Sequence, residues 1–384
     1  MKRLHSIKMN NYEAIDAYVR LNSTFENYYL NGHLNSQFYK YDAAYRASST
    51  NRSIIDKYVK FIVGKGLVDE NGYDISKIFG FDDLELFVLD YVKSANTALQ
   101  TIYNFKGEIS NLYHLPIRCI GVNKEEDIMD DVSAYWYCFD WRQRSVYQPE
   151  QFPGFAKGEP IIVNDIPVKQ TEIFFLRGLD DSPLFSEPSY LPCLQYCFTD
   201  EQVSNFINKH IRKSFSVKTI INVNNGDKYS DDQIDELIRT YKSELTGTDG
   251  EEMLVSINNG IETATTVETI DIPDAYQQYQ FVVQQCKNEI MQAHGVTNPA
   301  LFGVIAPSGF SSQAEDKQVS KLDLFDEVIQ PMRNRIVYAL NKLLSVNSPN
   351  ISLKFIDQLD EVTKVDNGGN VTTQVIDEKN NNIQ

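Results

Sequence analysis

The segment from His294 to Asp316, HGVTNPALFGVIAPSGFSSQAED, constrains the fold more than any other part of the chain. It is too apolar for an ordinary surface loop, and its Gly, Pro and Ser content argues against a helix. Long helical patterns flank it. Ahead of it, DAYQQYQFVVQQCKNEIMQAH (Asp274 to His294) reads as one helix about 31 Å long at ~1.5 Å per residue. Its apolar stripe is Tyr276, Tyr279, Val283, Cys286, Ile290 and Ala293. The other faces carry Gln277, Gln278, Gln280, Gln284, Gln285, Asn288 and Gln292, amides where exposed helices usually mix Glu with Lys. Behind the segment, Ser312-Gln313-Ala314-Glu315 forms a capping box. It opens a helix with the stripe Val319, Leu322, Phe325, Val328 or Ile329, Met332, Ile336, Leu340 and Leu343. Pro331 predicts a kink there, since proline lacks the backbone donor and clashes with the preceding turn. The fold must therefore suspend an apolar hinge between two rods.

The remaining patterns place this unit inside a mixed α+β chain. Residues 1–36 are polar, with weak helical periodicity from about Tyr12, and read as a partly ordered arm. Ser49 to Gly66 puts Ile54, Ile55, Tyr58, Val59 and Ile62 on one helical face, with Gly64 and Gly66 as its stop. Phe81 to Leu99 reads as a second helix that buries Leu84, Phe87, Val88, Tyr91 and Val92. From Ala98 to Val122 the period changes to that of a strand meander, and more β structure follows in DVSAYWYCFDWRQRSVYQP and PIIVNDIPVKQTEIFFLRG. The aromatics from Tyr135 to Trp141 suit a sheet's inner face better than base stacking.

Pro188 to Phe215 is helical and ends in Lys209, His210, Arg212 and Lys213. Those cations either complement the helix dipole or contact phosphate. A small α+β insert follows: the strand VKTIINV, a helix opened by Ser230-Asp231-Asp232-Gln233, and the strand MLVSI. ISLKFI reads as a last strand, and Asp366 to Gln384 as a disordered tail.

Composition narrows the function. The net charge of −17 opposes tight binding to a phosphate backbone, which relies on Lys and Arg displacing counterions. No apolar run is long enough to span a bilayer, and the N-terminus lacks the apolar core of a signal peptide. The five scattered cysteines suit reduced, buried thiols, and Cys193 with Cys197 suit helix packing rather than zinc. Neither GxxxxGK[ST] nor GxGxxG after a strand, GxSxG, HExxH or CxxC occurs, and the five histidines show no ligand spacing. The acidic pairs Glu125-Glu126, Asp130-Asp131 and Asp180-Asp181 read as solvated surface, with Mg²⁺-dependent phosphoryl chemistry as the alternative. No catalytic residue, metal or cofactor is expected.

Three ordered stretches resemble the portal proteins of tailed bacteriophages: EIFFLRGLDDSPLFSEPSYLPCLQY; then FSVKTIINV, SDDQIDELIRTYKSELTGTDG and EMLVSINNGIE; then NEIMQAHGVTNPALFG. Cover is good from about Glu172 to Leu344 and looser from Ala43 to Arg144. Asn298 stands where many members have a proline, and Phe185-Ser186 replaces a usual glycine.

The resemblance implies a portal-like α+β fold with a mixed α/β wing, long stem helices, a small α+β clip and a kinked tunnel helix. Its divisions are an arm at 1–36, a wing at 37–187, stem helices at 188–214 and 273–295, a clip at 215–272, a tunnel loop at 296–313 and a tunnel helix at 314–346. A strand at 347–360 joins the wing or a small crown, and 361–384 is the tail.

It further implies a virion protein, assembled in the host cytoplasm, that forms a dodecameric ring at one capsid vertex. Its partners would be the major capsid protein, the terminase large subunit, a head-completion adaptor and double-stranded DNA in transit, with no membrane. The loop facing DNA would be Val304, Ile305, Ala306, Pro307, Ser308, Gly309, Phe310 and Ser311. Gln277, Gln280, Gln284 and Asn288 would face the channel, and Lys209, Arg212 and Lys213 would meet phosphate or a neighbouring copy. The alternatives from other classes are a metal-dependent phage nuclease and an adaptor that forms no ring.

Overall fold

The architecture is built around a helix whose apolar side chains recur every three to four residues. In the computed structural model, residues 27–124, 132–163, 166–182, 184–213, 220–224, 254–258, 275–296, 298–302, 314–357, 361–365 and 371–375 are described, with helical positions also at Gln233, Asp235, Glu236 and Arg239. Two compact units divide the chain, Met1–Cys197 with Asn288–Gln384, and Phe198–Lys287.

In the larger unit, β1 (Tyr28–Tyr29) precedes α1 (Ser36–Ala47) and α2 (Ser49–Val63). The Ser48 hydroxyl caps α2 by accepting from the Asn51 amide. The face expected from sequence is the face that is buried, with Ile54, Ile55, Tyr58, Val59 and Ile62 in the core. Each such aliphatic side chain contributes about 1.5–3 kcal/mol when fully removed from water. Gly64 ends the helix at φ 57°.

Next come β2 (Leu67–Asp69) and α3 (Phe81–Ser94). The expected helix through Leu99 stops five residues early, because Ala95 turns left-handed and its amide bonds back to the Tyr91 carbonyl. From Asn96 the chain is already strand β3 (Asn96–Tyr103). It pairs with β4 (Ile109–Leu115) across the Lys106-Gly107 turn.

A second sheet has the order β1, β5 (Ile120–Asn123), β6 (Ala134–Tyr137), β7 (Glu150–Pro153), all antiparallel. The hairpin β8 (Ile161–Val163) and β9 (Ile166–Val168) leads to β10 (Glu172–Arg177), which pairs with β3. Of the Tyr135 to Trp141 aromatics the two ends fill a core, with Trp141 fully buried against Tyr28, Leu30 and Cys138 and Tyr135 stacked on Phe175 at 5.2 Å, whereas Trp136 and Tyr137 are half-buried and Phe139 is exposed. Tyr28–Leu30, drawn within the arm from sequence, belong to that core.

Helix α4 (Leu194–Lys213) leads into the smaller unit, where β11 (Ile220–Asn224) pairs in parallel with β12 (Leu254–Asn258). A parallel pair needs a crossover, and the helical positions Gln233 to Arg239 lie in it. Helix α5 (Ala275–Ala293) returns the chain to the larger unit.

There α6 (Ala314–Leu324) and α7 (Gln330–Leu344) are joined by a π-helical turn, Phe325–Ile329. The kink expected at Pro331 takes this form. The wider turn lets the Gln330 amide reach the Phe325 carbonyl and leaves Pro331 in the first turn of α7, where a missing donor costs little. Val319 and Leu322, expected in the core stripe, are 57% and 56% exposed, whereas Ile329, Ile336, Leu340 and Leu343 are buried.

Strand β13 (Leu353–Phe355) pairs with β2 and so joins the larger unit's body. The tail read as disordered contains a hairpin, β14 (Glu361–Val365) with β15 (Val371–Val375). Its β-branched strands flank Asp366-Asn367-Gly368-Gly369, turn residues that outweigh the tail's polarity.

A Cβ placed on Gly64 would lie 2.1 Å from the Ile356 carbonyl oxygen, at a backbone angle that L-residues avoid. Gly64→Ala is expected to lower unfolding stability by more than about 2 kcal/mol in a urea titration.

Candidate functional site

The site that sequence reasoning singles out is the apolar hinge, and the structure describes both of its roots. Helix α5 closes with a Schellman motif: Val296 N–H donates to the Met291 carbonyl (2.9 Å), Gly295 N–H donates to Gln292 (3.0 Å), and Gly295 takes φ 72°. His294 then inserts into the larger unit's core. Its ring stacks on Tyr190 with centroids 4.6 Å apart and meets Tyr58 edge-on. Nε2 donates to Asn51 Oδ1 at 2.7 Å, and the Tyr58 hydroxyl donates to the His294 carbonyl at 2.6 Å. One turn of chain later, Lys57 Nζ donates to the Leu301 carbonyl and lies over the Phe302 ring. Asn51, Lys57 and Tyr58 all belong to α2.

The second root is held by the same helix. Arg333, two residues past Pro331, donates to the Ile62 carbonyl (3.0 Å) and the Phe61 carbonyl (2.6 Å), capping the C-terminal end of α2. Its remaining nitrogen pairs with Asp357, and its plane faces Phe325 and Phe355. Phe325, in the π turn, packs against Phe61 at 5.4 Å. Between the roots, Asn298 Nδ2 donates to Ser320 Oγ on α6 (3.3 Å). The end of α5 before the hinge, and the π turn and start of α7 beyond α6, are thus both tied to α2.

Val304 to Ser311, the expected loop tip, lie outside the described residues. Gln280, Gln284 and Asn288 are exposed and recur every four residues on α5, a row that Gln292 extends. Cys286 and Ile290, on the opposite stripe, are buried. Gln277 on α5 and Lys209, Arg212 and Lys213 on α4 occupy helical positions whose side chains lie outside the description.

Asp180 acts as a loop cap, accepting from the Glu187 amide (2.6 Å) and the Ser182 amide (3.3 Å). Residues 125–131, with the other acidic pairs, fall outside the described residues. Among the described residues no group of three His, Cys, Asp or Glu side chains is arranged to hold a metal, and no helix is long and apolar enough to cross a membrane. All five cysteines are buried, and burial lifts the Cys119 thiol to about 11. Phe185, in place of the usual glycine, fills the core between Phe38 and Phe175. Sequence reasoning missed Arg333 and His294 as anchors, since a lone cation or imidazole on a helix carries no signal of its distant partner.

No family model and no curated protein sequence matches this chain. Solved structures do. A chain from the virion of a native gene transfer agent particle matches with a TM-score of 0.58 and 14% identity, over 91% of this chain and 90% of that one. A chain from the neck of a native gene transfer agent particle, computed with C12 symmetry, matches with a TM-score of 0.50 and 16% identity, over 82% and 83%. An HK97 family phage portal protein from Corynebacterium diphtheriae matches at a TM-score of 0.46 and 13% identity, over 82% and 94%, a likeness too weak to carry weight by itself. The chain therefore has the fold found in gene transfer agent particles. A phage portal protein, of the kind the sequence resembles, is thus among the solved structures this chain is similar to.

Burial holds His294 neutral and pushes its pKa down to about 3 from 6.5. Between those values the unfolded chain binds the extra proton, so the His294 contribution is complete above pH 6.5 and is lost as pH falls toward 3. Asp90 is also buried, which alone would raise its pKa, but Lys93 and His114 hold it at about 2, so its contribution fades only below 3.8. Urea titrations from pH 7 to 4 should show a decline of up to about 1.4 kcal/mol per pH unit, and His294→Gln should flatten it.

Proposed function

We propose that this protein is a portal: a ring of identical copies at one capsid vertex of a tailed phage or related particle, through which double-stranded DNA passes. The observation that carries the reading is the likeness in fold, over nine-tenths of the chain, to a chain of the gene transfer agent virion. The C12 symmetry of the neck structure supports twelve copies. A head-to-tail interface closes into such a ring when its rotation completes a circle, and every copy then presents the same loop to one axis.

The physical chemistry of the site suits a conduit. Stem helices α4 and α5 would line the bore, the insert at 215–272 would be the clip, and Val304 to Ser311 would form the tip that meets DNA. A loop whose leading root is held by one core helix, with the helix that follows it tied to the same post through Phe325 and Arg333, keeps its position while its Gly, Pro and Ser residues adjust. The amide row of Gln280, Gln284 and Asn288 offers hydrogen bonds without fixed positive charge. A bore lined by Lys and Arg would release counterions and hold the duplex. A neutral one lets it slide. Lys209, Arg212 and Lys213 would be a localised exception, touching phosphate or a neighbouring copy. The terminase large subunit would supply the motor and dock with a head-completion adaptor at the clip, while the wing would meet the major capsid protein.

Negative-stain images of the purified chain should show rings with a central hole and a countable symmetry. A species that stays monomeric at high concentration would overturn the proposal, and Mg²⁺-dependent cutting of plasmid DNA would favour the nuclease reading instead. In rings carrying both Gln280→Lys and Gln284→Lys, duplex retention at low salt should rise at least tenfold in a filter-binding assay and fall steeply as salt is added.

A further inference from the structure

Outside the candidate site, the solvent face of the rod made by α6, the π turn and α7 stands out for what it leaves unpaired. Val319, Leu322, Asp326, Gln330, Asn334 and Tyr338 recur every three to four residues and are all exposed, so they form one row along the rod. Gln330 Nε2 donates to Asn334 Oδ1 at 2.9 Å, which keeps the row continuous past the π turn. Its apolar members sit toward the two ends, Val319 and Leu322 before the turn and Tyr338, 70% exposed, after it. Large apolar side chains lined up on a helix whose other side is packed mark a contact.

The charges on this face divide in the same way. Asp323, Asp326 and Glu327 are exposed on the half before Gln330, and none makes an ion pair among the described residues. Arg335 and Lys342 lie on the half after it, also without an acidic partner among the described residues. Arg335 Nη2 donates to the Arg177 carbonyl at 3.3 Å, and its buried Nε has no acceptor. A guanidinium left in that state costs stability, which a carboxylate recovers.

Acids on one half and cations on the other make the face complementary to itself, provided two copies lie antiparallel. With the midpoint at Gln330 and Pro331, Asp326 of one copy falls opposite Arg335 of the other, and Leu322 falls within one residue of Tyr338. Val319 meets the aliphatic stem of Lys342, whose ammonium reaches toward Asp323. Each contact occurs twice, as in any twofold pair. A parallel pair would instead set acids against acids.

We infer that this face docks a second copy of the chain, antiparallel and about a twofold axis at Gln330 and Pro331, while the chain is not built into a larger assembly. The inference does not rest on the portal reading. A ring closes through a different, head-to-tail contact, so the two readings succeed or fail separately.

The test links copies through cysteines placed on the row, the five native thiols being buried. A mixture of Leu322→Cys and Tyr338→Cys chains should be joined into dimers by a short bismaleimide. Neither variant should link to itself, because an antiparallel pair holds the two copies of either site about 24 Å apart at ~1.5 Å per residue. Asp326→Arg should raise the dimer dissociation constant at least tenfold in sedimentation equilibrium. Adding Arg335→Asp to the same chain should restore it, since each copy supplies both partners. No cross-link in the mixture, or self-linking of Leu322→Cys as strong as the mixed link, would overturn the inference. Rings that assemble from chains showing no mixed link would also overturn it, while leaving the portal reading intact.

Discussion

Carbonyl groups in a protein interior must find donors, and at the heart of this fold those donors come from α2 or reach toward it. An unpaired buried carbonyl costs about 1–3 kcal/mol, so each of the four at the hinge's roots needs a partner. Tyr58 serves His294, Lys57 serves Leu301, and Arg333 serves Phe61 and Ile62. Helix α2 is thereby a post to which the end of α5 and the start of α7 are both tied. An apolar, glycine-rich segment can be suspended from such a post without unravelling the helices beside it.

The same economy of polar groups governs charge. His294 is kept neutral where it is buried, and Arg333, which cannot lose its proton, is given two carbonyls, a carboxylate and two aromatic faces. Exposed surface follows the opposite rule on α5, where amides take the place of charges. The π turn adds a mechanical element: α7 is deeply packed, α6 exposes Val319 and Leu322, and the widened turn separates the two.

Much of this was legible in the residues. The α2 stripe from Ile54 to Ile62, the glycine stop at Gly64, the meander after Ala98 and the strand–helix–strand insert all follow from side-chain period and turn chemistry. The misreadings share a cause. Phe81 to Leu99 carries a continuous helical pattern, but pairing of Asn96–Leu99 with β4 and β10 claims those residues for a sheet. Val319 and Leu322 continue a periodic stripe that nothing in the same chain covers among the described residues. In the tail, polar composition hid the pairing of two β-branched runs, Glu361–Val365 and Val371–Val375.

By itself the sequence determined most of the helices and strands, the order in which they occur, and the row of amides on α5, because these depend on neighbours a few residues apart. The tertiary structure alone decided where the hinge is rooted. Tyr58 meets the His294 carbonyl across 236 residues, and Arg333 meets the Ile62 carbonyl across 271. Contacts that distant leave no period in the chain, since any buried donor of suitable length satisfies a carbonyl, and only the packed fold selects which one does.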